Sequence, residues 1–433
     1  MLPLKWQGDL LPIEAIGAEL APNNRTLYPL VILFLGLSAF QGLYDLDSSF
    51  ADNSNSEYDA STMLNFADDL IGLAVVIANA EFYLKMATME LGEPLAVSPE
   101  ELLDRNSGGR YILFCLSLVE FFSLLTGFGV PYEGNDFKKG SKKLEAILDF
   151  LNPLAHLDEN EWFGVAADSC DMAGETLKRH VKKLATWDRD MAAVATRHAR
   201  IVLHTRTALG ILKALLLVGF IDKERYSRSG NIEIAQYIDL RVGKLGAAAL
   251  LAILLVLPAA LSEASTNYAN KISDRYLSQA LKLKKDRAGK DSPVRYLPDR
   301  FGPQEHSRGV TEKISVSSEY LDNLTEILHG TVAQVESAKR ATAEAKNKIE
   351  WGWGPLFRAT NDAFGSASAE RQHALGVLSA ACAALGVTLA AAGSAYTASD
   401  ALLGVELGEE EFDFSTPRCV VAELEDHPSA TAG

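Results

Sequence analysis

Apolar positions recur along much of this chain in alternating steps of three and four, the spacing of a helix that buries one stripe. The longest series is Leu177, Val181, Leu184, Asp188, Met191, Ala195, His198, Val202, Thr205, Leu209, Leu212 and Leu216, a heptad seam. At about 1.5 Å per residue, a helix over 165–220 would reach some 80 Å, too long to persist without a partner along its side. A second seam runs Leu321, Leu324, Leu328, Thr331, Val335, Ala338, Thr342, Ala345 and Ile349. A third runs Leu375, Leu378, Cys382, Leu385, Leu389, Ala392 and Tyr396. Between them stands Trp351, Gly352, Trp353, Gly354 and Pro355, where two glycines and a proline break a helix. The two arms are therefore expected to zip as an antiparallel hairpin.

Strand-like alternation and hairpin turn signals are nearly absent, so the expected class is all-α: long antiparallel helical hairpins plus additional apolar helices. A short amphipathic helix begins at Phe137 and stops at Asn152 and Pro153, and Trp162 and Gly164 then open the long seam as a second hairpin turn. The uncharged runs 26–44 and 245–262, the latter with Pro258 near its end, just reach the roughly 18 residues needed to cross a bilayer. Lys213 and Glu120 interrupt two other apolar stretches, which suits buried bundle helices better. The stretch 271–313 mixes charge with Pro293, Pro298 and Pro303, has little periodicity after Leu283 and reads as a linker. The expected organisation is an apolar region with an acidic loop (1–110), a first hairpin (111–225), an apolar helix (226–267), a basic linker (268–313), a second hairpin (314–404) and an acidic flexible tail (405–433).

A net charge of −16 lacks the basic footprint that a nucleic-acid binder uses to displace counterions, so DNA and RNA are not expected partners. Charge is uneven: residues 1–109 hold four basic against sixteen acidic side chains, and 271–313 hold eleven basic against six acidic, so the two stretches are expected to attract one another. Cys115, Cys170, Cys382 and Cys419 show no metal or disulfide spacing and read as core thiols. Asp45 and Asp47 suggest a calcium loop, but that template then meets Phe50 and Ser56 where it needs Gly and Glu. His198 and His204 lack the i, i+4 spacing of a helical zinc site, so His198 is expected to be hydrogen-bonded or at a solvent edge. The N-terminus lacks a basic segment leading into an apolar one, so a cleavable general-secretory signal is not expected. Phosphate loops, nucleophile elbows and compact acid or His/Cys clusters are missing from the sequence, and neither catalysis nor a cofactor or metal is expected.

Two stretches carry a resemblance. The text GFGVPYEGNDFKKGSKKLEAILDF, followed by ENEWFGVAADSCDMAGETLKRHVKKLATWDRDMAAVATRHARIVLHTRTAL, resembles the EspA/EspE family of type VII (ESX) secretion-associated proteins over about 127–216. Trp162, Gly164 and Asp188 occupy that family's Trp-x-Gly and mid-helix Asp places. The text WGWGPLFRATNDAFGSASAERQHALGVLSAACAALGVTLAAAGSAYTASDALLG, over about 324–403, resembles EspC, including Phe357, Asn361 and Asp362. Tyr396 and Asp400 reproduce the Tyr-x-x-x-Asp/Glu signal of type VII export. The resemblance implies a natural fusion of the two units that is secreted or held in the envelope and works through protein–protein interaction. Its implied partners are the ESX machinery and co-secreted hairpin substrates; the apolar seams suggest further copies of itself, and the runs 26–44 and 245–262 offer the alternative of an integral membrane or membrane-permeabilising helical protein. The first 110 or so residues lie outside the resemblance, and the doubled Trp-Gly departs from a simple Trp-x-Gly.

Overall fold

A computed structural model describes residues 31–41, 43, 66, 67, 70–72, 74, 110–158, 160–162, 165–288 and 317–405. Among these residues the fold is all-α and no strand occurs. In chain order the helices are α1 (Val31–Gln41), α2 (Arg110–Leu124), α3 (Asn135–Phe150), α4 (Val165–Arg228), α5 (Ile232–Leu254), α6 (Ser262–Ala288), α7 (Ser318–Arg340), α8 (Ala345–Trp353) and α9 (Arg358–Val405). Pro258 cannot donate a backbone hydrogen bond, and the chain around it, Leu255–Leu261, widens into a π-helical turn between α5 and α6.

Contacts divide the chain into two compact units that do not follow contiguous stretches. The first comprises Met1–Asn135, Asp190–Ile272 and Glu344–Ser368; the second comprises Asp136–Arg189, Ser273–Ala343 and Ala369–Gly433. Every position of the first two sequence seams is buried, as are Leu375, Leu378, Cys382, Leu385 and Leu389 of the third.

In the first unit, Leu35, Leu116, Val119, Leu209, Leu216, Phe220 and Leu250 share one core. Asp239 of α5 caps α2 from outside its own chain segment, accepting from the backbone N–H of Tyr111 at 3.2 Å and of Ile112 at 3.0 Å. A carboxylate there satisfies orphan donors at the positive end of the helix. The two charges that interrupt the apolar runs face one another: Lys213 of α4 meets Glu120 of α2 at 3.0 Å, both fully buried. Each offsets the desolvation of the other.

In the second unit, Gly386 of α9 lies against Leu328 of α7 and Gly393 lies against Leu321, while Arg371 donates to the Ala338 carbonyl at 3.2 Å. Numbers rise along one helix as they fall along the other, so α7 and this part of α9 run antiparallel. Ser317 starts α7 by accepting from the Tyr320 N–H at 3.3 Å, and Lys339 and Arg340 close it where cations suit the helix end.

Two local expectations change. Trp351, Gly352 and Trp353 do not break the helix: they form the last turn of α8, and the break falls only at Gly354, with φ of 69°, and Pro355. One glycine costs a helix about 1 kcal/mol, less than packing on either side returns. The linker reading is also too early. Helix α6 continues to Ala288, and Ile272, Tyr276, Ala280 and Leu283 are buried at helical spacing; residues 289–313 lie outside the described residues, as do the loop holding Asp45 and Asp47, the acidic tail and Cys419.

Three helical stretches are long and apolar enough to cross a membrane by length and composition: Ala166–Arg228, Ile232–Lys285 and Pro355–Thr397. Of the run 26–44, the described residues form the shorter apolar helix α1.

Candidate functional site

Residues 351–355, expected from the sequence to be a hairpin turn, lie in the first unit, where they meet the loop between α2 and α3. Gly354 and Gly127, the latter with φ of 88°, stand so close that a Cβ on either would collide with the backbone of the other. That approach lets two backbone bonds form: the Phe128 N–H donates to Trp351 O at 2.9 Å and the Leu356 N–H donates to Leu125 O at 2.9 Å. Arg206 of α4 clamps both loops, its guanidinium donating to the carbonyls of Gly129 at 2.8 Å, Thr126 at 3.0 Å and Gly352 at 3.1 Å. The planar fork of Arg suits several converging carbonyls as Lys does not.

The two tryptophans have different fates. Trp353 is fully buried; its indole N–H donates to Tyr132 O at 3.1 Å, and Phe364 stands edge-on at 4.9 Å. Trp351 is 55% exposed and stacks on Phe128 at 5.1 Å. Asn361 donates to Gly354 O at 3.0 Å and so fixes the turn from the start of α9.

His198 corrects its sequence reading. It is fully buried, its ring lies 4.3 Å from Trp353 and 5.1 Å from Phe357, and neither ring nitrogen has a hydrogen-bond partner. Aromatic surroundings supply packing without acceptors, and desolvation lowers its pKa to about 3, so the ring is neutral.

In the second unit, the seam residue Asp188 receives a bidentate ion pair from Arg371 of α9, at 2.7 and 2.6 Å. Tyr276 of α6 donates a third bond to Asp188 at 2.6 Å, and Arg371 reaches Thr342 at 2.6 Å. Gly140 of α3 leaves room for this network, since a Cβ there would press on Arg371. Arg371 and Tyr276 were not singled out from the sequence, although Arg371 lies one step of four before Leu375 on the seam and a buried Asp188 demands a cation.

Trp162 is buried in the second unit, and Gly164 lies outside the described residues. Tyr396 is half-buried on α9, and burial raises the pKa of its hydroxyl. The helix passes unbroken through Asp400 to Val405, so positions 396 and 400 share one helix face. Burial pushes the thiols of Cys170 and Cys382 up to about 12, far from thiolate reactivity. Among the described residues no group of three or more His, Cys, Asp or Glu could hold a metal ion.

Among the described residues the fold is all-α, and the buried polar side chains named above hold turns and helices together. Residues 126–211 match the EspA/EspE family, and residues 310–409 match the family of the excreted virulence factor EspC of type VII ESX secretion. The chain thus carries, as its sequence resemblance implies, regions of two type VII (ESX) secretion-associated families, which are families of secretion substrates. No curated protein and no solved structure matches it.

Proposed function

We propose that this chain is itself a substrate of type VII secretion, delivered to the medium or the envelope, that acts by protein–protein interaction and performs no catalysis. The observation that carries the reading is the joint folding of the two matched regions. The first unit combines 126–135 and 190–211 of the EspA/EspE-like region with 344–368 of the EspC-like region. The second combines 136–189 with the described EspC-like residues around α7 and α9. The protein is its own hairpin partner, and it travels as one unit. Tyr396 and Asp400 at the end of the second arm form the export address read by the secretion machinery, while Trp162, Gly164 and the 351–355 turn shape the hairpin ends. Co-secreted hairpin proteins and further copies are the partners that such helices suit.

The test is the distribution of tagged full-length protein among culture filtrate, envelope and cytosol in a host with a working ESX system. Tyr396→Ala and Asp400→Ala are each expected to cut extracytoplasmic protein at least tenfold while leaving its total amount and melting temperature unchanged. Export unaffected by both substitutions, or no ESX-dependent export of the wild type, overturns the reading.

A further inference from the structure

We infer that the segment between the two family-matched regions is a lipid-facing element, and that the partner covering its exposed apolar surface is the hydrocarbon of a bilayer. The family matches end at residue 211 and resume at residue 310, and the element is built from the end of α4, α5, the π-turn and the start of α6, all in the first unit.

The stretches 211–221 and 245–262 carry a single charge, Lys213, which lies inside, and they hold their hydrocarbon outside. Lys213, Glu120, Lys223, Glu224 and Asp239 are all buried. Around them Leu215 is 62% exposed, Val218 58%, Leu245 70% and Leu255 58%. A water-soluble bundle makes the opposite assignment, because charge is costly to desolvate and exposed aliphatic area is unfavourable. In hydrocarbon, ionisable side chains turn inward and pair, as Lys213 and Glu120 do at 3.0 Å.

A second copy of the chain would cover one side of α5, but the exposed apolar side chains lie on α4, at Leu215 and Val218, as well as on α5 and the π-turn. Only the narrow stripe Ala235, Asp239, Gly243, Gly246 and Leu250 of α5 is buried. Leu245, Leu251, Leu255 and Val256 are all exposed and, at 3.6 residues per turn, fall on the arc away from that stripe. Just 18% of the apolar window in Ile232–Lys285 is buried, against 56% and 50% for the other two candidate stretches. The buried stripe itself has the small residues that let helices approach within lipid: a Cβ on Gly243 would press on Tyr111, and one on Gly246 on Leu216.

Dimensions agree with this occupant. The uncharged run 245–262 rises about 27 Å at 1.5 Å per residue, close to the roughly 30 Å of bilayer hydrocarbon. Tyr237, with Arg241 over its ring at 5.4 Å, precedes the run and the part-exposed Tyr268 follows it. Tyrosine beside a cation suits the headgroup level at either end.

The experiment uses the full chain, purified in detergent and reconstituted with vesicles of phosphatidylcholine and phosphatidylglycerol. Wild type is expected to float with the vesicles and to resist alkaline extraction. The pair Leu215→Lys and Leu255→Lys is expected to lower flotation at least tenfold, whereas the same charge added in the second unit by Ser318→Lys and Asn323→Lys leaves it unchanged. Independently of any substitution, an acyl-chain diazirine lipid is expected to label wild-type peptides spanning 211–221 and 245–262. Wild type that fails to float, equal flotation of the two double variants, or label confined to other peptides overturns the inference. A water-soluble dimer that Leu215→Lys and Leu255→Lys dissociate would also overturn it, in favour of a second copy as the occupant. None of these outcomes depends on export.

Discussion

His198 shows what a single polar side chain does when its surroundings offer only rings. Trp353 and Phe357 pack against it, and neither nitrogen is hydrogen-bonded, so protonation would place a buried charge with nothing to receive it. Its pKa falls to about 3 in the folded chain, whereas an unfolded His titrates near 6.5. Between those values the unfolded state binds the extra proton, so the contribution of His198 to stability is complete above about pH 6.5 and is lost as pH falls toward 3. The loss is about 1.4 kcal/mol per pH unit within that window. In denaturant melts at pH 7.5 and 5.0, wild type is expected to lose roughly 2 kcal/mol more on acidification than His198→Leu, which has no such proton to bind. Equal losses would mean that the ring is not held neutral. Nothing in the sequence announced this state: the seam marks position 198 as buried, but the partners on the facing elements decide whether a buried histidine finds an acceptor.

At the scale of helices, burial was legible and polar pairing was not. Leu177 through Leu216, Leu321 through Ile349 and Leu375 through Leu389 declare themselves by spacing alone, because a helix packed lengthwise must keep its apolar residues at steps of three and four. The same rule applies to Ile272, Tyr276, Ala280 and Leu283, which are buried on α6, yet the lysines and arginines around them and the prolines and lost periodicity beyond Leu283 made the whole stretch read as a linker. Gly352 misled in the other direction, since a glycine within a packed last turn does not end a helix. The network around Asp188 escapes a linear reading altogether: Asp188, Tyr276 and Arg371 lie on three helices far apart in sequence. Its energetic role follows from burial. Arg371→Met strands a fully buried carboxylate and is expected to cost about 3–5 kcal/mol in urea unfolding. Adding Asp188→Leu removes the stranded charge, so the double variant is expected to be more stable than Arg371→Met alone. A double variant less stable than the single would show that Asp188 contributes through Tyr276 rather than through the ion pair.

Over the whole molecule, the decisive property is that neither matched region contains a complete core. Residues 344–368 bring Trp353, Phe357 and Phe364 to a cluster to which the other region adds His198 and Tyr132. Arg206 likewise holds carbonyls on both sides of that division. Within the second unit, Asp188 belongs to one region and Arg371 to the other. Linear patterning finds each seam but carries no information on which seam covers which, so this interdependence becomes visible only once the helices are packed. Separation would expose whole apolar stripes to water, a condition that long helices do not survive alone. The chain divided at residue 300 is therefore expected to yield two fragments that lack cooperative thermal unfolding when produced apart. Produced together, they are expected to copurify one to one and to melt cooperatively, because the cut removes no contact described above and costs only the entropy of bringing the halves together. Cooperative melting of either fragment alone would show instead that each matched region folds independently, and would remove the joint folding on which export as a single unit is argued.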